Sequence, residues 1–164
     1  MYPLQYRQSK RGVANVLRQP FSVLVVIYKR DGDFLLIQRA DDPEFWQSVT
    51  GGIEQGEKPI DTAIRELKEE TGIDALKLNL SVVQHSHTNS YEIRPQWRYR
   101  YAPGNYINTE YVFSVEVPEH ITLVLNPSEH TDYIWLPQRL AAQKAWSPSN
   151  KKEIIELEIQ THAI

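Results

Sequence analysis

Residues 21–28 read FSVLVVIY, apolar almost without a break. A strand with one wetted face alternates, whereas an unbroken run is expected where both faces of a sheet are covered. Asp31-Gly32 then turns the chain into residues 34–39, which completes a hairpin. Further strands are predicted over 46–50, 76–85, 92–101, 106–117, 121–125 and 133–136, with a polar turn at 87–90 and another at 102–105. Helices are predicted between Pro59 and Gly72, over 137–144 and over 148–161, the last opened by Ser147 as a cap and Pro148 in its first turn. Strands interleaved with two or three helices indicate an α/β or α+β layered fold. A chain of 164 residues without internal repeat or linker fits one domain with a substantial core.

The first helix carries the chemistry. Pro59 suits a first-turn position and Gly72 the left-handed residue just past the end. Ile60, Ala63, Ile64 and Leu67 recur at the spacing of one apolar face, so that side packs inward. At about 100° per residue, Glu66 and Glu70 project together, with Glu69 on the adjoining edge and Arg65 further round. Like charges four apart destabilise a helix by roughly 0.2–0.5 kcal/mol. A cation reverses that sign; a solvated acidic surface helix is the alternative. Carboxylates are hard ligands that favour Mg²⁺ or Mn²⁺ over zinc, and Mg²⁺ fills its remaining positions with water and substrate phosphate. The expected chemistry is metal-assisted attack of water on a phosphorus. Arg65, near Glu57 and Glu69, is expected to orient those carboxylates, while Gly51, Gly52 and Gly56 let backbone approach an anion or metal closely.

The segment GGIEQGEKPIDTAIRELKEETGI resembles the box of the Nudix hydrolases, G-x5-E-x7-R-E-U-x-E-E-x-G-U with U aliphatic. The matching residues are Gly51, Glu57, Arg65, Glu66, Leu67, Glu69, Glu70, Gly72 and Ile73, nine fixed positions over twenty-three residues. The resemblance implies a Nudix-type α/β/α sandwich with a mixed β-sheet. It also implies Mg²⁺ held by Glu66, Glu69 and Glu70, with one of the glutamates as base. Outside the box, RADDPEFWQSVTGG (39–52), WRYRYAPG (97–104) and INTE (107–110) are similar to the branch of that family acting on a pterin triphosphate, and this likeness runs from about Arg18 to Asn150. It implies hydrolysis of dihydroneopterin triphosphate to the monophosphate and pyrophosphate, a step of folate synthesis. The same box serves relatives that act on dNTPs, oxidised dNTPs or dinucleoside polyphosphates; a non-catalytic nucleotide-sensing domain is the alternative from another class.

Candidates outside the box come from loops and neighbouring strands. Glu129 lies in a loop six residues before Trp135, where the resemblance suggests a further ligand or the general base; otherwise it is a surface acid. His130 beside it is expected to face solvent, the alternative being a hydrogen bond to that carboxylate or to substrate. Arg39 suits triphosphate oxygens, or pairs with Asp41 or Asp42; Arg18 has the same case. Thr50 precedes the box glycine and so is placed to touch substrate or metal. Trp46, Tyr91, Trp97, Tyr101 and Trp146 are candidates to stack on a flat ring, with Glu92 or Gln47 reading its polar edges; a place in the core is the alternative for each, and the commoner one for an aromatic in a small domain. By resemblance, Tyr91, Glu92, Ile93 and Arg94 run along the base pocket, and Ser147 is a weaker candidate. His85 and His87 alternate without a third ligand, which does not make a zinc site.

Composition narrows the partners. A net charge of −3 gives no basic footprint for nucleic acid, and no cysteine is present for a disulfide or thiolate site, which suits a reducing cytoplasm. No apolar run reaches membrane-spanning length. Residues 1–17 form a basic extension ahead of a single domain over 18–164, with Arg7, Lys10 and Arg11 and no acid before Asp31. The expected partner is a small-molecule triphosphate.

Overall fold

The structure, a computed structural model, describes residues 17–159. The basic arm lies outside this range but for Leu17, as do the last two residues of the predicted C-terminal helix. Strands β1 (Phe21–Lys29), β2 (Asp33–Arg39), β3 (Asp42–Gln47), β4 (Val49–Gly52), β5 (Val82–Glu92), β6 (Ile107–Val117) and β7 (His130–Pro137) form one seven-stranded sheet. The path is β3-β2-β1-β6-β5, with β4 pairing β1 and β7 pairing β2. β1 and β6 run parallel and the other pairs antiparallel, so the sheet is mixed. Helix α1 (Pro59–Thr71) packs on one face, and α2 (Gln138–Lys144) and α3 (Pro148–Glu156) pack on the other.

The sandwich explains the unbroken apolar run. Val23, Val25 and Ile27 join the core under α1 with Ala63 and Leu67, while Leu24 and Val26 join the opposite core with Ala141, Ala145 and Ile154. Each such side chain, fully buried, stabilises the fold by about 1.5–3 kcal/mol. α1 begins at Pro59 and ends at Gly72, whose φ of 77° is the left-handed conformation that favours glycine.

Several predicted elements differ. Of the strand expected over 76–85 only Val82 onward is strand, the strand expected over 46–50 is broken at Ser48 between β3 and β4, and the helix expected over 148–161 ends at Glu156. The polar stretch 87–90 is not a turn: β5 runs through it, and Asn89 and Ser90 pair with Glu110 and Thr109 of β6. β5 ends the strand path and is largely exposed, so its polar residues are those of an edge strand. Residues 92–101 do not continue as a strand, because Pro95 has no donor for a ladder and opens a 3₁₀ turn, Pro95–Arg100. Residues 121–125 alternate as a strand does, with Ile121, Leu123 and Leu125 packed on the α1-side core. Among the described residues they have no strand partner, and Val124 N–H donates to the Thr71 carbonyl at the end of α1 instead (2.8 Å).

Candidate active site

α1 buries two of its acids as deeply as its leucine. Glu66 and Leu67 are both 0% exposed and Glu70 is 1% exposed. That excludes the solvated acidic helix. Arg65 holds the upper part of the cluster: its Nε and Nη2 donate to the two oxygens of Glu57, both at 2.8 Å. Nη1 reaches Glu66 at 2.8 Å and Glu69 at 3.2 Å, and Nη2 also donates to the Gly52 carbonyl at 3.3 Å. Burial works to raise the Glu57 carboxyl, but hydrogen bonds from Arg65, Thr62 and the Glu54 amide, with the Arg65 charge, hold it at about 2. Burial pulls the Arg65 guanidinium the other way, and Glu57, Glu66 and Glu69 together raise it beyond its ordinary range. Glu66 in turn lies against the backbone of Gly51, where a Cβ would stand 2.5 Å from its Cγ. The box glycine is the floor on which that carboxylate rests.

Below this, the loop ahead of β7 brings in a second set. Glu70, Glu129 and His130, all buried, offer ligand atoms within 4.8 Å of one another. Glu129 is fixed by its own backbone, which accepts from Ala40 (2.8 Å) and donates to Asn126 (3.0 Å). His130 is 0% exposed, so the solvent-facing expectation is corrected. Its Nε2 lies 3.1 Å from Gln47 Nε2 and 3.6 Å from Glu70 Oε1. Two carboxylates and an imidazole, dehydrated and converging, fit a divalent cation: burying such charges is costly unless something positive joins them. Glu70 and Glu129 are thus brought together as the sequence suggests, with Glu66 and Glu69 tied to Arg65 alongside.

Beside the acids, a cleft of about 470 Å³ reaches from Gly51 and Gly52 to the start of α3. Arg18, Arg39, Thr50, Tyr91, Glu92, Ile93, Arg94 and Ser147 all line it. Trp46 does not. It packs with the α2–α3 core, and its carbonyl accepts from Trp146 N–H (2.9 Å), so the stacking role expected of it is corrected. The neighbouring Phe45 takes that wall instead, stacked on Trp146 with ring centroids 4.4 Å apart. Arginines layer between the rings: Arg39 lies 4.7 Å from the Phe45 centroid, and Arg94 lies 4.2 Å from Trp146 and 5.2 Å from Trp97. Arg39 also makes a two-pronged pair with Asp41 (2.9 and 2.8 Å), the structural alternative weighed for it. Glu92 is 71% exposed and ion-pairs with Arg98 at 2.6 Å.

Sequence reasoning passed over Phe45 and Arg100. It also left the two polar residues of β6 that face the cleft, Asn108 and Glu110, without a role. Their signal was available: in INTEYVFSVEV, a strand buried along most of its length, polar residues two apart mark one face. His85 and His87 lie apart from this site, bonded to Ser114 (2.9 Å) and Glu153 (2.8 Å).

A buried acid cluster anchored on a glycine-floored helix, with a phosphate-sized run of arginines opening from it, defines a class. The family model of the NUDIX domain matches residues 18–157, and the chain belongs to the NUDIX family. Within it, the chain is 44% identical over 135 residues to the dihydroneopterin triphosphate diphosphatase of Escherichia coli (strain K12), covering 80% of this chain and 89% of that one. It is 42% identical over 134 residues to the enzyme of that name from Haemophilus influenzae, covering 81% and 84%. The solved structure of the E. coli dihydroneopterin triphosphate pyrophosphohydrolase superposes with a TM-score of 0.78 at 42% identity, covering 85% of this chain and 95% of that one.

Proposed function

We propose that this chain hydrolyses dihydroneopterin triphosphate between its α and β phosphates, giving the monophosphate and pyrophosphate with Mg²⁺ as the ion and Mn²⁺ as a substitute. One observation carries it: the buried Glu70–Glu129–His130 group adjoins a cleft whose walls alternate arginine and aromatic rings. The likeness to two dihydroneopterin triphosphate diphosphatases supports the substrate. When bound, the ion supplies charge neutralisation for the phosphates and lowers the pKa of water. The chain does the rest. Glu70 and Glu129 would hold the ion with His130 beside them and Glu66 alongside, and Arg65 keeps Glu57, Glu66 and Glu69 in place. Arg18 and Arg39 take phosphate oxygens, Thr50 borders them, and Tyr91, Arg94, Trp97 and Trp146 enclose the ring. The reaction belongs to a soluble small molecule in the cytoplasm, and no helix among the described residues is long and apolar enough to cross a membrane.

The test is a side-by-side measurement of kcat/KM for dihydroneopterin triphosphate, dATP and 8-oxo-dGTP with Mg²⁺. The pterin substrate is expected to lead. If either purine wins by an order of magnitude, the substrate assignment fails.

A further inference from the structure

Among the described residues, Glu110 is the one buried carboxylate lining the cleft apart from the acid cluster. It stands on β6 directly across from Asn89 of β5 and is 5% exposed. Asn89 Nδ2 donates to Glu110 Oε1 (3.2 Å) and also to Glu153 Oε2 (2.9 Å), and Glu153 is in turn bonded by His87 (2.8 Å). Ser149, at the start of α3, gives a further hydrogen bond. The carboxyl group is thus braced from the sheet and from the helix, at a fixed place in the cleft wall. Burial pushes it above the usual carboxylate range; Asn89 and Ser149 oppose that, and the nearby Glu153 charge adds to it.

The side-chain amides of Asn150, Asn108 and Gln47, which line the cleft with it, have other partners. Asn150 uses both ends of its amide on Ser48, at 2.8 Å each. Asn108 donates to Ser22 (2.8 Å), and Gln47 faces His130. A buried carboxylate braced in this way is matched by two N–H donors side by side, as a guanidinium offers them. A pterin has that edge, an N3–H next to a 2-amino group. Guanine has it too; adenine does not. Few but fixed polar groups are what orient a ligand in a largely apolar cleft.

We propose that Glu110 is the specificity residue of the cleft, its carboxylate accepting paired hydrogen bonds from the ring N–H and 2-amino group of the bound pterin. This rests on the substrate reading above, and purine triphosphates separate the two. Glu110→Gln keeps the shape but turns a donor toward the ligand's donors. Losing charge-assisted hydrogen bonds of this kind lowers kcat/KM by about 10- to 100-fold. That loss relative to dATP is expected, mainly in KM, for dihydroneopterin triphosphate and for dGTP. Unaltered pterin-to-dATP and dGTP-to-dATP ratios in the variant overturn the inference. A wild-type enzyme that prefers dATP to the pterin sinks the substrate reading alone, since the dGTP-to-dATP ratio still interrogates Glu110. The unmodified protein gives a second readout independent of folding: dITP lacks only the 2-amino group, and equal kcat/KM for dITP and dGTP also overturns the assignment.

Discussion

Gly51→Ala tests the packing on which the acid cluster rests. The Gly51 backbone is not in the left-handed region, so alanine meets no torsional penalty there. What it meets is Glu66. The added Cβ would sit against the carboxyl carbon and Oε1 of that side chain and 2.5 Å from its Cγ. Glu66 is 0% exposed and holds Arg65 Nη1 at 2.8 Å, so its retreat breaks a charge-assisted bond. Either that bond is lost, at about 1.5–3 kcal/mol, or β4 and α1 separate, at about 1–3 kcal/mol for an overpacked core. The two routes overlap at about 1.5–3 kcal/mol. A chain of this size converts it to about 2–4 °C of melting temperature per kcal/mol. Activity with Mg²⁺ should fall further, beyond the ~100-fold upper end for side chains that only support a ligand. Gly52→Ala is the control: nothing lies within 4 Å of its Cβ, and stability should stay within about 0.5 kcal/mol. A double-mutant cycle with Glu66→Ala isolates the collision, since removing the Glu66 side chain restores the room. Coupling of about 0.5–3 kcal/mol is expected between the two changes. If Gly51→Ala keeps wild-type melting and turnover, or costs as much in the Glu66→Ala background, the glycine is not the floor described.

Two further perturbations bear on the same cluster. Glu57→Gln removes the two-pronged partner of Arg65 and should destabilise the protein by about 1.5–3 kcal/mol at neutral pH. The folded Glu57 carboxyl titrates at about 2 rather than 4.5, so its contribution is complete above about 4.5 and lost as pH falls toward 2. Acid unfolding of Glu57→Gln should lack that component, and identical acid-side slopes in urea titrations of the two proteins would contradict the assignment. Glu70→Gln should cost more than about 100-fold in Mg²⁺-dependent turnover, while the metal-free protein keeps or gains stability because a buried negative charge is relieved. At an Mg²⁺ or Mn²⁺ concentration 100 times Kd, the wild type should gain about 2.7 kcal/mol and Glu70→Gln much less. Near-normal turnover in that variant would show that the ion binds elsewhere.

The parts of this molecule that could be read from the chain are those written within a single element. β1 declares both of its faces in nine residues, and α1 carries its own start, stop and apolar stripe along with Arg65, Glu66, Glu69 and Glu70. Misreadings arise where a neighbour decides. The polar run 87–90 reads as a turn because an edge strand need not alternate, and only the ladder to β6 shows it to be paired. Residues 121–125 alternate because the core beneath them does, whether or not a strand lies alongside. The same division runs through the site. Glu129 was within reach because its loop position carries a resemblance, but His130 is buried against Gln47, eighty-three residues away in the chain. Trp46 and Phe45 are adjacent aromatics, of which sequence reasoning singled out only Trp46. Successive residues of a strand face opposite sides, and the structure puts Trp46 against the α2–α3 core and Phe45 along the cleft. Glu110 is the same problem in reverse: its place in a buried strand was legible, but its role follows from Asn89 and Ser149, which arrive from two other elements. Chemistry confined to one helix is therefore visible in sequence, and chemistry assembled across a sheet becomes visible once strand register is known.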